Sequence, residues 1–143
     1  MNIQAETVLQ AQERILRIKL KDARGLMIKV REGIPARAVT RVVELGFNGQ
    51  SVYSSIGSRT TVQRKIKGNE RLTPEESDRL LRLTRIIGQA TMTFGSEEKA
   101  RHWLERPTKA FGGNEAPFSL LDTDQGAQLV EERLVQIAHG MFA

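Results

Sequence analysis

Few groups in this chain have the types and spacing for bond-making chemistry. His102 and His139 are the two histidines, and there is no cysteine, so no thiolate nucleophile or thiolate metal site can be built. Neither histidine has ligand-type neighbours at helical metal spacing, and both are read as surface or packing residues. Asp122 and Asp124 fit helix-cap chemistry better than an acid–base dyad. Gly112-Gly113 has no strand before it and no Lys-Ser/Thr after it, so it is not a phosphate-cradling loop. Nothing assembles a nucleophile, a base and an oxyanion site. No enzyme, cofactor or metal site is expected.

Recognition chemistry is better represented. Arg59, Thr60, Thr61, Gln63, Arg64, Lys65 and Lys67 fall within nine residues. Arginine, glutamine and threonine can read base edges in a major groove, while lysine and arginine neutralise phosphates. Charge is uneven in the same sense. Residues 1–87 hold 17 Lys/Arg against 9 Asp/Glu, and residues 88–143 hold 5 against 8. A basic front and mildly acidic back point to an anionic partner for the first half. The alternative is a solvated basic helix in an ordinary bundle.

Several elements must position these residues. Ser51 is expected to cap one short helix and Thr60 a second, with Gly57-Ser58 as the turn between them. Val52 and Ile56, then Val62 and Ile66, put an apolar pair on each inner face at i, i+4. This is the layout of a helix-turn-helix. Upstream, Pro35 suits the first turn of a helix whose stripe is Ala38, Val39, Val42, Val43 and Leu45, stopped by Gly46. Residues 1–33 form a leader in which periodicity does not choose between a fraying helix and a strand-like LRIKL segment. Downstream, Thr73 and Glu76 form a capping box around Pro74. Leu80, Leu83, Ile87, Ala90 and Phe94 step by three and four along one long helix, as an internal core or a subunit interface. Arg71, Arg79, Arg82 and Arg85 lie on its other faces, within reach of phosphates or simply solvated.

Past this helix, Ser96 caps another with Glu97 and Glu98 in its first turn and Ala100, Trp103 and Leu104 inward, ended by Arg106-Pro107. A loop follows from Thr108 to Pro117. Thr123 or Asp122 caps the last helix, where Ala127, Val130, Leu134, Ile137 and Met141 keep the 3/4 spacing and Gly140 makes the stop. Phe111 and Phe118 flank the glycines, either as exposed interface anchors or folded back on Trp103. No apolar run reaches the roughly 20 residues of a membrane span, and no signal-peptide layout is present. A cytoplasmic protein with no membrane partner is expected.

The second half also resembles a known family. Leu72 with the Glu76–Arg82 run, Phe94-Gly95, Ala100 with Trp103-Leu104, Phe111-Gly112-Gly113, Pro117–Leu121, Thr123 with Gly126, and Val130, Leu134, Ile137, His139-Gly140 and Phe142-Ala143 together resemble the Xre/MbcA/ParS antitoxins of bacterial toxin–antitoxin operons. The match covers roughly residues 34–143 and is densest over the last fifty. The resemblance implies an all-α chain: an Xre-like helix-turn-helix bundle at 34–87, joined by a long helix to a small helical toxin-binding domain at 88–143. It implies a RES-domain, NAD-degrading toxin as partner, neutralised by covering its active site. It also implies operator DNA, autoregulation, and a homodimer within a larger toxin–antitoxin complex. Carried over by position, the toxin-facing elements are Pro107–Leu121 and Gln136–Ala143. They place Phe111, Gly112, Gly113, Phe118, His139, Met141, Phe142 and Ala143 at the toxin, with the terminal carboxylate entering a cleft built for an anionic dinucleotide. The sequence departs from the family in a turn one residue short at Gly57-Ser58-Arg59, and in Tyr53 where a small residue is usual. Two other readings are a stand-alone helix-turn-helix regulator whose C-terminal half only dimerises, and an antitoxin with a degenerate helix-turn-helix.

Overall fold

The computed structural model describes residues 6–140. Met141, Phe142 and Ala143, expected at the toxin, lie outside the described residues. Among those described, the chain is all-helical: α1 Val8–Leu16, α2 Ala23–Glu32, α3 Ala38–Val43, α4 Gly49–Ile56, α5 Arg59–Lys67, α6 Pro74–Phe94, α7 Glu97–Glu105, a 3₁₀ turn at Pro117–Leu120, and α8 Asp124–Ala138.

α6 is the central element, and its start is encoded locally. The Thr73 hydroxyl accepts from the Glu76 amide while the Glu76 carboxylate accepts from the Thr73 amide, with Pro74 in the first turn. This satisfies orphan donors that the helix cannot bond itself. Gly95, at φ +89°, ends it. Leu80, Leu83, Ile87 and Ala90 are buried as spaced, and Leu81, Ile86 and Thr84 widen the buried face. The seam is thus an internal core: α1, α2, α4, α7 and α8 all pack on this one helix.

Among the described residues the leader forms two helices, α1 and α2, and residues 17–20 of the LRIKL segment lie in the irregular link between them, neither helix nor strand. Thr7 and Gln10 form a capping box at α1, and Arg17 in the left-handed region ends it before Ile18-Lys19-Leu20 can continue. Gln12 is buried and donates to the Leu81 carbonyl at 2.9 Å. Gly88 admits Ala11 so closely that a Cβ on it would stand 3.0 Å from the alanine methyl. Arg14 ties this strap to Glu6 and, through Glu97, to α7.

Three boundaries differ from expectation. Pro35 bridges to Arg71 in a short antiparallel contact, and the helix begins only at Ala38. The Leu72 amide bonds the Ile34 carbonyl there at 2.8 Å, so Pro35 serves an extended segment where its missing N–H is harmless. Asn48 rather than Ser51 caps α4, its side chain accepting from the Ser51 amide at 3.0 Å. Ser58 occupies the cap position of α5, and Thr60 contacts the Ser58 hydroxyl instead of capping.

Candidate functional site

The helix-turn-helix forms with a short turn. α4 ends at Ile56, Gly57 is extended, and Ser58 leads directly into α5. Val52, Ile56 and Val62 are fully buried and Ile66 half-buried; α4 packs on α6, and α5 packs on α4. Tyr53 is half-buried over Gly49, where a Cβ would stand 3.7 Å from its ring. The aromatic is therefore accommodated by a glycine on its own helix.

Of the seven side chains expected at DNA, Arg59, Thr60, Gln63, Arg64 and Lys67 are exposed and Thr61 is half-buried. Arg59, at the start of α5, donates to Gln50 of α4 at 3.0 Å. Arg64 pairs with Glu70 at 3.0 Å. Thr60, Gln63, Arg64 and Lys67 line one open groove on α5, bounded by Gly68 and Glu70.

Lys65 is placed differently from its neighbours on α5. Its side chain is 12% exposed and its ammonium lies 2.6 Å from Glu76 Oε1, on a carboxylate only 10% exposed. It faces α6 and is not a free groove-facing cation. Burial pushes the Glu76 carboxyl up, but the hydrogen bonds from Lys65 and the Thr73 amide outweigh it and hold the group below its ordinary value. Arg71, just before α6, and the three arginines on α6 are likewise committed internally. Arg71 donates to the Gly33 carbonyl, Arg79 to that of Ile56, and Arg82 to that of Asp122, and Arg85 pairs with Glu131 at 2.6 Å. Their sequence signal was ambiguous because a partner 23 to 46 residues away leaves no local mark.

In the C-terminal half, Ser96 caps α7 and Thr123 caps α8. The Thr108 amide bonds the Glu115 carbonyl at 3.0 Å and closes the loop into a projection. Gly112, at φ +93° with nothing within 4 Å of a Cβ, stands at its open tip beside the exposed Gly113. Phe111 is half-buried, whereas Phe118 is buried and stacks on Phe47 with centroids 5.4 Å apart. The two aromatics thus divide between surface and core, and the core one meets Phe47 of the N-terminal half rather than Trp103. Trp103 packs on Phe94. His139 is exposed at the end of α8.

A cleft of about 450 Å³ opens where the halves meet, between Gln50, Ser54 and Arg59 on one side and Glu105, Ser119 and Asp122 on the other. Its residues come from four separate elements, so no motif announced it. Among the described residues no acid–histidine cluster could hold a metal, and no helix is long and apolar enough to cross a membrane.

The geometry defines a helix-turn-helix bundle that shares its last helix with a small helical module carrying a projecting loop. The family model described as the antitoxin Xre-like helix-turn-helix domain matches residues 26–85. That described as the antitoxin Xre/MbcA/ParS C-terminal toxin-binding domain matches residues 89–140. The chain is 35% identical over 112 residues to an antitoxin Xre of Pseudomonas putida, covering 78% of this chain and 70% of the relative. It is 31% identical over 125 residues to a Prs ADP-ribosylating antitoxin of Sphingobium sp., covering 80% and 78%. It is 30% identical over 115 residues to an antitoxin Xre of Photorhabdus laumondii, covering 78% and 77%. The chain belongs to the Xre/MbcA/ParS antitoxin family. It is the antitoxin of a toxin–antitoxin system, a regulatory protein and not an enzyme.

Proposed function

We propose that this antitoxin neutralises a RES-domain, NAD-degrading toxin by covering its active site, and that it binds its own operator to repress the operon. Residues 88–143 would hold the toxin and residues 34–87 the DNA, with α6 shared between them. The observation that carries the toxin reading is the loop closed by Thr108 and Glu115. It projects Phe111, Gly112 and Gly113 without a covering element among the described residues. Glycines allow close backbone approach to a partner, and a half-buried aromatic beside them supplies an anchor that is already ordered. His139 at the end of α8, together with the rest of residues 136–143, would complete the surface. For DNA, the exposed Arg59, Thr60, Gln63, Arg64 and Lys67 on α5 supply both phosphate and base-edge chemistry.

The test is co-expression and co-purification with the product of the adjacent gene, with cellular NAD⁺ followed when the antitoxin is depleted. Loss of NAD⁺ without modified protein is the expected result. A stable complex whose toxin leaves NAD⁺ intact would overturn the RES assignment. The Sphingobium relative supports a second reading, in which the toxin transfers ADP-ribose to a protein. Label from NAD⁺ appearing on a cellular protein would favour that transfer. Failure to bind any neighbouring product, with promoter binding retained, would instead favour a stand-alone regulator.

A further inference from the structure

The turn and recognition helix of the DNA module rest on one carboxylate. Glu76 Oε1 accepts from the Thr73 amide at 2.8 Å and from Lys65 Nζ at 2.6 Å. A Cβ placed on Gly57, in the turn between α4 and α5, would meet Glu76 Oε2 at 3.1 Å. One helical turn further along α6, Arg79 donates to the carbonyl of Ile56, the last residue of α4, at 3.2 Å. The start of α6 thus grips the end of α4, the turn and the inner side of α5.

We propose that Glu76 and Lys65 are positioning residues for DNA recognition: their buried ion pair sets the angle at which α5 presents Gln63, Arg64 and Lys67, and Lys65 contacts no phosphate. The proposal rests on the DNA-binding reading above. Removing one member of a buried pair strands the other charge in a poorly solvated site, and α5 relieves this by tilting to reach water. Gly57 belongs to the same device. An alanine there displaces the carboxylate and loosens the grip, although its extended backbone would accept any residue.

The experiment compares the full-length protein with Glu76→Gln, Lys65→Met, the Lys65→Met/Glu76→Gln double variant and Lys67→Gln. Each is titrated by fluorescence anisotropy against its own promoter DNA at several salt concentrations. Hydrogen exchange is followed over α5, with α8 as an internal control. Lys67→Gln removes an exposed cation and is expected to lower the slope of log affinity against log salt by about 0.9. Glu76→Gln and Lys65→Met are each expected to weaken binding about tenfold with the slope of the parent kept. Their α5 amides should exchange faster while those of α8 do not change. The double variant should bind no worse than either single, because the second substitution removes the stranded charge. A Lys65→Met slope reduced like that of Lys67→Gln, with Glu76→Gln binding as the parent does, would overturn the proposal and make Lys65 a phosphate contact. If the parent shows no promoter binding, the DNA reading falls. The exchange data then decide the pair alone: unchanged α5 exchange in both single variants would refute positioning.

Discussion

Replacing Phe118 by alanine separates a supporting residue from a contacting one. Phe118 is 7% exposed, and its ring lies 5.4 Å from that of Phe47 at a tilt of 32°. Deleting a buried phenylalanine ring removes its transfer energy and leaves a cavity, which together cost about 3–5 kcal/mol. Phe47, 4% exposed, should lose a similar amount when truncated. A double-mutant cycle should then return about 0.5–1.5 kcal/mol for the tilted pair itself. The single continuous core supports analysing urea melts as one transition. With a slope near 2 kcal/mol/M, a loss of about 4 kcal/mol moves the midpoint down by roughly 2 M. Below that midpoint the folded Phe118→Ala protein should keep toxin affinity to within a few-fold. Phe111→Ala should reverse the pattern, lowering toxin affinity at least tenfold for about 1 kcal/mol of stability, as expected of a half-buried anchor. A Phe118→Ala protein with the parent's urea midpoint but no toxin affinity would refute this assignment.

Other substitutions probe the same framework. Thr73→Ala removes half of the α6 capping box and should cost about 1 kcal/mol in urea melts. Gly126→Ala should cost about 3 kcal/mol, because its Cβ would stand 1.9 Å from the Leu120 carbonyl oxygen and force the 3₁₀ turn away from α8. Stability should also fall on acidification through Glu76. Its folded value lies below its unfolded one, so its contribution is complete above the ordinary carboxylate range and is lost as pH falls through the folded value. The stability gap between the parent and Glu76→Gln should therefore be full at neutral pH and close as the solution is acidified through and below the ordinary carboxylate range, read by urea melts across that range.

What the sequence conveyed about this chain follows the range of the interactions involved. The Thr73/Glu76 box, Pro74, the Ser96 cap and the Leu80–Ala90 seam are determined within a few residues of one another, and the structure bears them out. Caps at α4 and α5 were misplaced by two or three residues because Asn48, Ser51, Ser58 and Thr60 are all competent, and tertiary seating decided among them. Lys65 reads like its neighbours on α5 until the fold puts Glu76 beside it. Phe118 likewise reads like Phe111 until Phe47, seventy-one residues earlier, is brought under it. The leader was the least legible part, because α1 depends on Gln12 reaching Leu81 and on Gly88 admitting Ala11. Neither dependence has any local periodicity.

The central position of α6 has a consequence for how the protein is lost from a cell. Its buried residues complete the packing of both halves at once, and Phe47 and Phe118 stitch those halves together away from it. A protease that opens either half removes a wall from the core of the other, so cleavage should consume the molecule in one step. Partly digested chains with only one half intact would then not accumulate. Under the repressor function proposed above, repression and neutralisation would decay with a single half-life.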